Sequence, residues 1–325
     1  MVPGAVRGVM ACMRFLDATA VTAALSPAQA VEAITSALRE GFDPADDAAR
    51  AVVPVRRGQF LLMPSDVGAY AGVKVATVAP ANPAAGLPRI QASYLLFDGG
   101  TLSLRAVLDG TALTTLRTPA VSVAAVRPAL DRLGRPARVV ALGAGPQAVG
   151  HVETIAAVRP EPLAGVTFVV RHPERVGADV RSRGGVVAAG GPEAAAALAA
   201  ADVVVCATTA REPVLSATAV AGDVIVIAVG SHEPGARELD AALLGRAAAA
   251  GGVVVEDRAT ALREAGDIVL ARDEGALDPA ALVPMADVAT GRTRLPDHGP
   301  VVFKSVGMSW QDLVIATAVM ERTRA

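Results

Sequence analysis

The chain has 325 residues, with 30 Lys and Arg against 32 Asp and Glu, a formal net charge of −2 and only 3% aromatic side chains. Nucleic-acid binders carry a basic stripe and aromatics for stacking, so this composition argues against a nucleic-acid partner. Although 52% of residues are hydrophobic, the most apolar stretches, 194–207 and 224–229, are short or broken by Asp202, below the ~18–20 apolar residues of a membrane span. Length allows one large or two ordinary domains.

The N-terminus has Arg7 and Arg14 with no long apolar run between them. It does not read as a signal peptide, and a cytoplasmic location is expected. Cys12 and Cys206 are too few for a disulfide framework or a zinc site, so both read as structural thiols and no metal is expected. Lysine occurs only at Lys74 and Lys304, every other basic residue being Arg. Arg replaces Lys easily on a solvated surface but poorly where a compact ammonium or a shiftable pKa is needed, which marks both lysines for attention.

In chain order, Ser26 is a good N-cap for a helix over 27–40. Runs at 51–55, 59–63, 71–78, 93–98 and 102–108, separated by Gly, Pro and Asp turns, predict a meander or mixed sheet. A connecting helix over 119–133 contains Pro128, where a kink or break is expected. From about residue 138 short apolar strands alternate with alanine-rich helices, the pattern of a parallel sheet covered on both faces. Strands are predicted at 138–142, 166–170, 203–207, 224–229, 253–255 and 301–304. Helices are predicted at 147–158, 193–201, 240–249 and 311–322.

The first strand of this half runs into Gly143-Ala144-Gly145-Pro146-Gln147-Ala148, a G-x-G-x-x-A opening a helix. Gly143 permits the tight turn, Gly145 lets backbone approach a pyrophosphate, and Ala148 allows close helix packing. An ordinary glycine turn is the plain alternative. The second strand ends in Arg171-His172, with Arg175 following and Glu174 between. Basic side chains there suit a 2′-phosphate, so NADP is preferred, with NAD the alternative; a solvated charged turn is the bland reading.

The first third then becomes specific. Leu62-Met63-Pro64, Tyr70-Ala71-Gly72-Val73-Lys74-Val75, Asn82-Pro83, Tyr94-Leu95-Leu96-Phe97-Asp98, Leu108-Asp109-Gly110-Thr111, Leu116-Arg117-Thr118, the glycine turn, Arg237-Glu238-Leu239-Asp240 and Phe303-Lys304-Ser305-Val306-Gly307 resemble, in order, the signatures of the ornithine cyclodeaminase/mu-crystallin family. The resemblance implies an α/β fold. A Rossmann-type doubly wound parallel sheet domain (120–306) joins a smaller mixed α/β substrate and dimerisation domain (1–119 plus 307–325), and the chain forms a homodimer. It further implies that Arg50, Lys74 and Arg117 hold a substrate carboxylate. Thr118, Gly143, Gly145, Pro146, Gln147, Ala148, Arg171, His172, Arg175, Thr208, Val229 and Ser305 line the cofactor, with Lys304 on the nicotinamide side.

Two departures bear on the reaction. Where the cyclodeaminases carry an aspartate after the Val-Gly pair, His232 stands, and their glutamate ahead of the clamp lysine is replaced by Leu61; a further family lysine is Ala236. The groups that would hold an ω-amine are gone. The resemblance then points to the ketimine reductase branch: NAD(P)H-dependent reduction of 1-pyrroline-2-carboxylate or 1-piperideine-2-carboxylate, an oxidoreductase activity in proline metabolism, with His232 or an ordered water as proton source. His232 shaping the pocket or meeting the ribose is the alternative. A cyclodeaminase-type lyase, an amino-acid or opine-like dehydrogenase, and a non-enzymatic NADP-binding protein remain competing readings. His151 is expected to pack or lie at the surface, His298 to sit in a loop, and Trp310 and Asp312 to be structural.

Overall fold

A computed structural model describes residues 13–323; Arg7 and Cys12 lie outside them. The chain builds strand β1 (Arg14–Leu16), helices α1 (Ala18–Ala24) and α2 (Pro27–Arg39), and strands β2 (Ala51–Val55), β3 (Gly58–Val67), β4 (Tyr70–Val78), β5 (Ile90–Asp98) and β6 (Leu104–Asp109). After α3 (Gly110–Arg132) come β7 (Ala137–Leu142), α4 (Pro146–Val158), β8 (Leu163–Val170), α5 (Ala178–Arg181), β9 (Gly185–Ala188), α6 (Pro192–Ala199), β10 (Val203–Cys206) and β11 (Ile225–Ala228). The remainder is α7 (Ala241–Ala250), β12 (Val253–Val255), α8 (Arg258–Glu264), α9 (Gly266–Asp273), β13 (Leu282–Pro284), α10 (Met285–Ala289), β14 (Val301–Lys304) and α11 (Ser309–Arg322).

The first sheet runs β1-β6-β5-β4-β3-β2. It is an antiparallel meander with β1 added in parallel on β6. Side chains alternate across a strand, and here Met63, Lys74, Ala76, Tyr94, Leu96, Ala106 and Leu108 are buried on one face, against α11, α3 and α1. Their neighbours Leu62, Val73, Val75, Leu95 and Val107 point the other way and stay partly exposed. Expected strand 102–108 begins later, because Leu102 adopts a left-handed φ of 53° in the turn before it.

The second sheet is parallel throughout, in the order β13-β12-β14-β11-β10-β7-β8-β9. Its central strands β7, β10, β11, β14 and β12 are almost wholly buried and mostly Val, Ile and Ala, as a sheet covered on both faces requires, while β8, β9 and β13 toward its two edges are partly exposed. The strand order reverses between β7 and β10, and the crevice at their carboxyl ends is where doubly wound folds bind ligands.

Helix α3 corrects one expectation. It starts at Gly110, N-capped by Asp109 whose carboxylate accepts from Ala112 N at 2.8 Å, and runs unbroken through Pro119 and Pro128. Proline removes one helical donor, but burial of most of this helix, from Ala112 to Leu130, outweighs the loss. The expected boundary at 119/120 therefore falls inside a single helix shared by the two sheets.

Candidate active site

Lys74 lies mid-strand in β4, and its ammonium is buried on the helix-covered face of the first sheet. It donates to Asp312 Oδ2 at 2.7 Å and to Thr114 Oγ1 at 3.4 Å. Burial lowers its pKa from 10.5 to about 8; Asp312 opposes that shift, while Arg117 and Arg50 add to it. Arg117, from α3, reaches the same carboxylate, with Nε 3.6 Å from Asp312 Oδ1. Neither of those two atoms has a hydrogen-bond partner among the described residues. Two buried cations thus share one buried carboxylate and keep unspent capacity for a second anion.

Arg50 comes near this pair without joining it directly. Its guanidinium donates to the Gly307 carbonyl at 2.6 Å and meets Glu264 of α8 at 2.9 Å, so it links the two lobes. Gly307 is the spacer: its φ is +77°, and a Cβ there would lie 2.8 Å from the Arg117 guanidinium. Arg117 Nη1 donates to Gln311 Oε1 at 2.7 Å, and Gln311 donates to Glu256. Glu256, just after β12, also accepts from Ser305 Oγ at 2.9 Å and Val306 N at 2.8 Å. Ser305 is therefore buried under the junction, tied to a carboxylate.

Helix α3 connects this clamp to the glycine turn. Thr114, which meets Lys74 through its hydroxyl, accepts from Gln147 Nε2 at 3.4 Å through its carbonyl, and Thr118 is buried on the same helix. Gly143 has φ +108° and sits so close to the crevice that a Cβ would lie 2.7 Å from Ala207 O. Gly145 caps α4 with no side-chain hydrogen bond, Pro146 takes the first turn, and Ala148 is fully buried. A Cβ at Gly145 would meet only open space, so the backbone N–H groups at the head of α4 face an unobstructed cradle. That cradle, at the strand-order reversal, fits a dinucleotide pyrophosphate.

At the end of β8, Arg171, His172 and Arg175 are exposed, with Glu174 3.2 Å from His172 Nδ1. On the far side of the crevice, Thr208 gives its N–H and hydroxyl to Glu238 Oε1 at 2.8 and 2.7 Å, while Gly230, after Val229, gives its N–H to Glu238 Oε2 at 2.7 Å. Lys304 departs from expectation. Its ammonium is buried, 2.9 Å from Asp267 Oδ2 and 2.6 Å from Ser231 O, and Asp267 in turn accepts from the backbone of Glu238 and Leu239. Lys304 props the loops that carry Thr208 and Gly230.

His232 keeps part of its ring in solvent. The desolvation it does suffer lowers its pKa below 6.5; Glu233 opposes this and the Arg50 and Lys304 charges reinforce it. His151 is buried in α4 between Gln147 O and Ser122 Oγ, and His298 is an exposed loop residue. Trp310 packs on Phe42, but Asp312 beside it touches the clamp. Asp312 was expected to be only structural, and Gln311 and Glu256 were not singled out; a polar pair ahead of the run from Leu313 to Val319, apolar but for Thr317, was the signal available.

The family model for the ornithine cyclodeaminase/mu-crystallin family matches residues 12–325. The chain belongs to that family. It is 34% identical over 274 residues to a Δ1-pyrroline-2-carboxylate/Δ1-piperideine-2-carboxylate reductase of Azospirillum brasilense, covering 81% of each chain. Among solved structures, a Thermococcus litoralis Δ1-pyrroline-2-carboxylate reductase in complex with NADH and L-proline superposes with a TM-score of 0.82 at 26% identity, covering 96% of this chain and 98% of that one. An archaeal alanine dehydrogenase dimer with bound NAD does so with a TM-score of 0.82 at 27% identity, covering 96% of each. The α/β fold with its dinucleotide-binding parallel sheet is that of these relatives. No helix among the described residues is long and apolar enough to cross a membrane.

Proposed function

We propose that this protein reduces a cyclic ketimine carboxylate, 1-pyrroline-2-carboxylate or 1-piperideine-2-carboxylate, to the cyclic L-amino acid with NAD(P)H. The observation that carries the reading is the surface beside the clamp. Cross-strand register sets Val52, Leu61, Ala76 and Ala92 in one row, next to the row of Met63, Lys74 and Tyr94. A carboxylate-binding lysine flanked by an apolar ladder suits a ring of methylenes bearing one carboxylate. It offers nothing to an ω-amine, and His232 supplies no carboxylate from the other lobe.

Arg171 and Arg175 would meet the ribose end of the cofactor, and a 2′-phosphate there would find two guanidinium partners. Gly143, Gly145, Pro146, Gln147 and Ala148 would cradle the pyrophosphate, with Thr118, Thr208, Val229 and Ser305 around the nicotinamide half. When bound, the reduced nicotinamide supplies a hydride. The protein's own part is to fix the substrate: Lys74 and Arg117 hold the carboxylate from below, with Arg50 at the lobe junction. Hydride acceptance favours a protonated imine nitrogen, so the amine nitrogen of the product keeps that proton or receives one from His232 or an ordered water. Because desolvation lowers its pKa, His232 carries its proton only on the acid side, and its contribution as an acid fades as pH rises.

Such a reductase would draw on cytoplasmic NAD(P)H and serve proline or pipecolate metabolism; the free, buried Cys206 suits a reducing compartment. The partly exposed apolar face of the first sheet supports a homodimer. The test is loss of NAD(P)H absorbance with purified protein and a panel of the two ketimines, pyruvate with ammonia or amines, and ornithine. Turnover is expected with the cyclic ketimines. Ammonia release from ornithine without imine reduction would overturn the proposal, and turnover of pyruvate with ammonia alone would move it to an alanine dehydrogenase.

A further inference from the structure

Asp312 is the group that Lys74 touches most closely. Its side chain is fully buried, and Lys74 is 4% exposed. Around the ammonium stand Asp312 from α11, Arg117 and Thr114 from α3, and Arg50 from the segment before β2; Tyr94 lies opposite Lys74 on the adjacent strand β5, its hydroxyl over Gly72. Of the charged groups, only Asp312 is negative. Tyr94 is neutral, its pKa raised by burial and then by the charges of Asp312 and Asp47. Asp47 is already occupied, accepting from Ser65 Oγ at 2.7 Å and Trp310 N at 3.0 Å.

We propose that Asp312 is the positioning residue of the clamp: it keeps Lys74 charged and aimed, and so sets the pH range over which the enzyme binds its anionic substrate. A buried ammonium facing two guanidinium groups loses its proton readily. The carboxylate 2.7 Å away opposes that loss and fixes the direction of one of the three N–H bonds. Wild-type Lys74 gives up its proton at about pH 8, so substrate affinity falls as pH rises through that value. Without the Asp312 carboxylate the fall begins at lower pH, and it appears in KM rather than kcat because the contact holds substrate and reacting state alike.

This rests on the ketimine reductase reading only for its kinetic arm. The direct arm uses the sequence itself: a chain with two lysines, labelled with ¹³C-lysine, gives two side-chain NMR signals whose titration is followed by pH. Asp312→Asn is expected to lower the Lys74 midpoint by about one unit or more, a tenfold change in proton affinity, with the Lys304 signal unmoved. The pH at which KM for 1-pyrroline-2-carboxylate rises should move by the same interval. Asp312→Glu, which keeps the charge on a longer arm, should restore most of both. An unshifted or raised Lys74 midpoint in Asp312→Asn overturns the proposal. Should that variant not fold, which loss of the Lys304 signal reveals, Asp312→Glu decides: midpoint and KM limb must move together, and movement of one alone overturns it. If wild type reduces no imine but the midpoint moves as stated, the reductase reading fails and Asp312 keeps its hold on Lys74.

Discussion

The two lysines of this arginine-rich chain occupy matching environments. Each is a buried ammonium against a buried aspartate, Lys74 on Asp312 and Lys304 on Asp267, and each makes one further contact, Lys74 to a hydroxyl at 3.4 Å and Lys304 to a carbonyl at 2.6 Å. A compact head with freely directed N–H bonds fits such a site, where a planar guanidinium would need more room and more acceptors. Buried polar residues also set how the fold answers to pH. His151 bridges Gln147 O at 2.7 Å and Ser122 Oγ at 2.9 Å, and burial lowers its pKa to about 4. The unfolded chain takes up a proton near 6.5 while the folded one does not, so the unfolded state binds more protons between those values and stability falls as pH falls through them. From pH 7 to pH 5 the loss from this group is about 2 kcal/mol. Urea unfolding at the two pH values should show that part of the difference disappearing in His151→Gln, whose amide does not titrate; an unchanged difference would contradict it.

The ends of elements, more than their interiors, build the site. Strand β14 runs into Ser305-Val306-Gly307 before α11 begins, and Glu256 ties that turn down through Ser305 and the backbone. Gly307 there leaves room for the Arg117 guanidinium, and its carbonyl accepts from Arg50. Gly307→Ala would force a Cβ into the Arg117 guanidinium and strain a left-handed residue. KM for the imino acid should rise about tenfold or more while cofactor affinity stays within about twofold, tested by steady-state kinetics beside NAD(P)H fluorescence titration. Much of this was legible beforehand. The glycine turn and the alternating apolar strands follow from local pattern, because each is written in contiguous residues; Lys74 and Arg117 were marked out by the resemblance of the motifs around them to the family's. What pattern could not reach was the pairing of Asp312, Gln311 and Glu256, whose partners lie 49 to 238 residues away in sequence. Local chemistry predicted a kink or break at Pro128 and a helix start at Pro119; the helix instead starts at Gly110 and is not broken at either proline, because burial from both lobes outweighs the lost donors.

Helix α3 and the Arg50–Glu264 pair tie two sheets of different character into one molecule. The parallel sheet is apolar on both faces and buried on both along its central strands. The antiparallel sheet is also apolar on both faces, but only one is buried. Phe15, Val107, Leu95, Val73 and Pro64 form a continuous cross-strand row on the other face, partly or fully exposed, and Phe60 and Val53 extend it toward the edge strand β2, all five residues of which are exposed. An apolar sheet face of this extent, ending in an uncovered edge, is an association surface on an isolated chain. A second copy packing face to face would bury it without disturbing Lys74, which points from β4 to the opposite side. Light scattering on the purified protein should therefore give the mass of a dimer at micromolar concentration. Val107→Glu places a charge in the middle of the row, on a strand whose buried partners Ala106 and Leu108 are left intact. That variant should shift to monomer or to aggregates while its isolated fold keeps the wild-type far-ultraviolet dichroism. A wild-type monomer, or a Val107→Glu dimer of undiminished affinity, would place the subunit contact elsewhere.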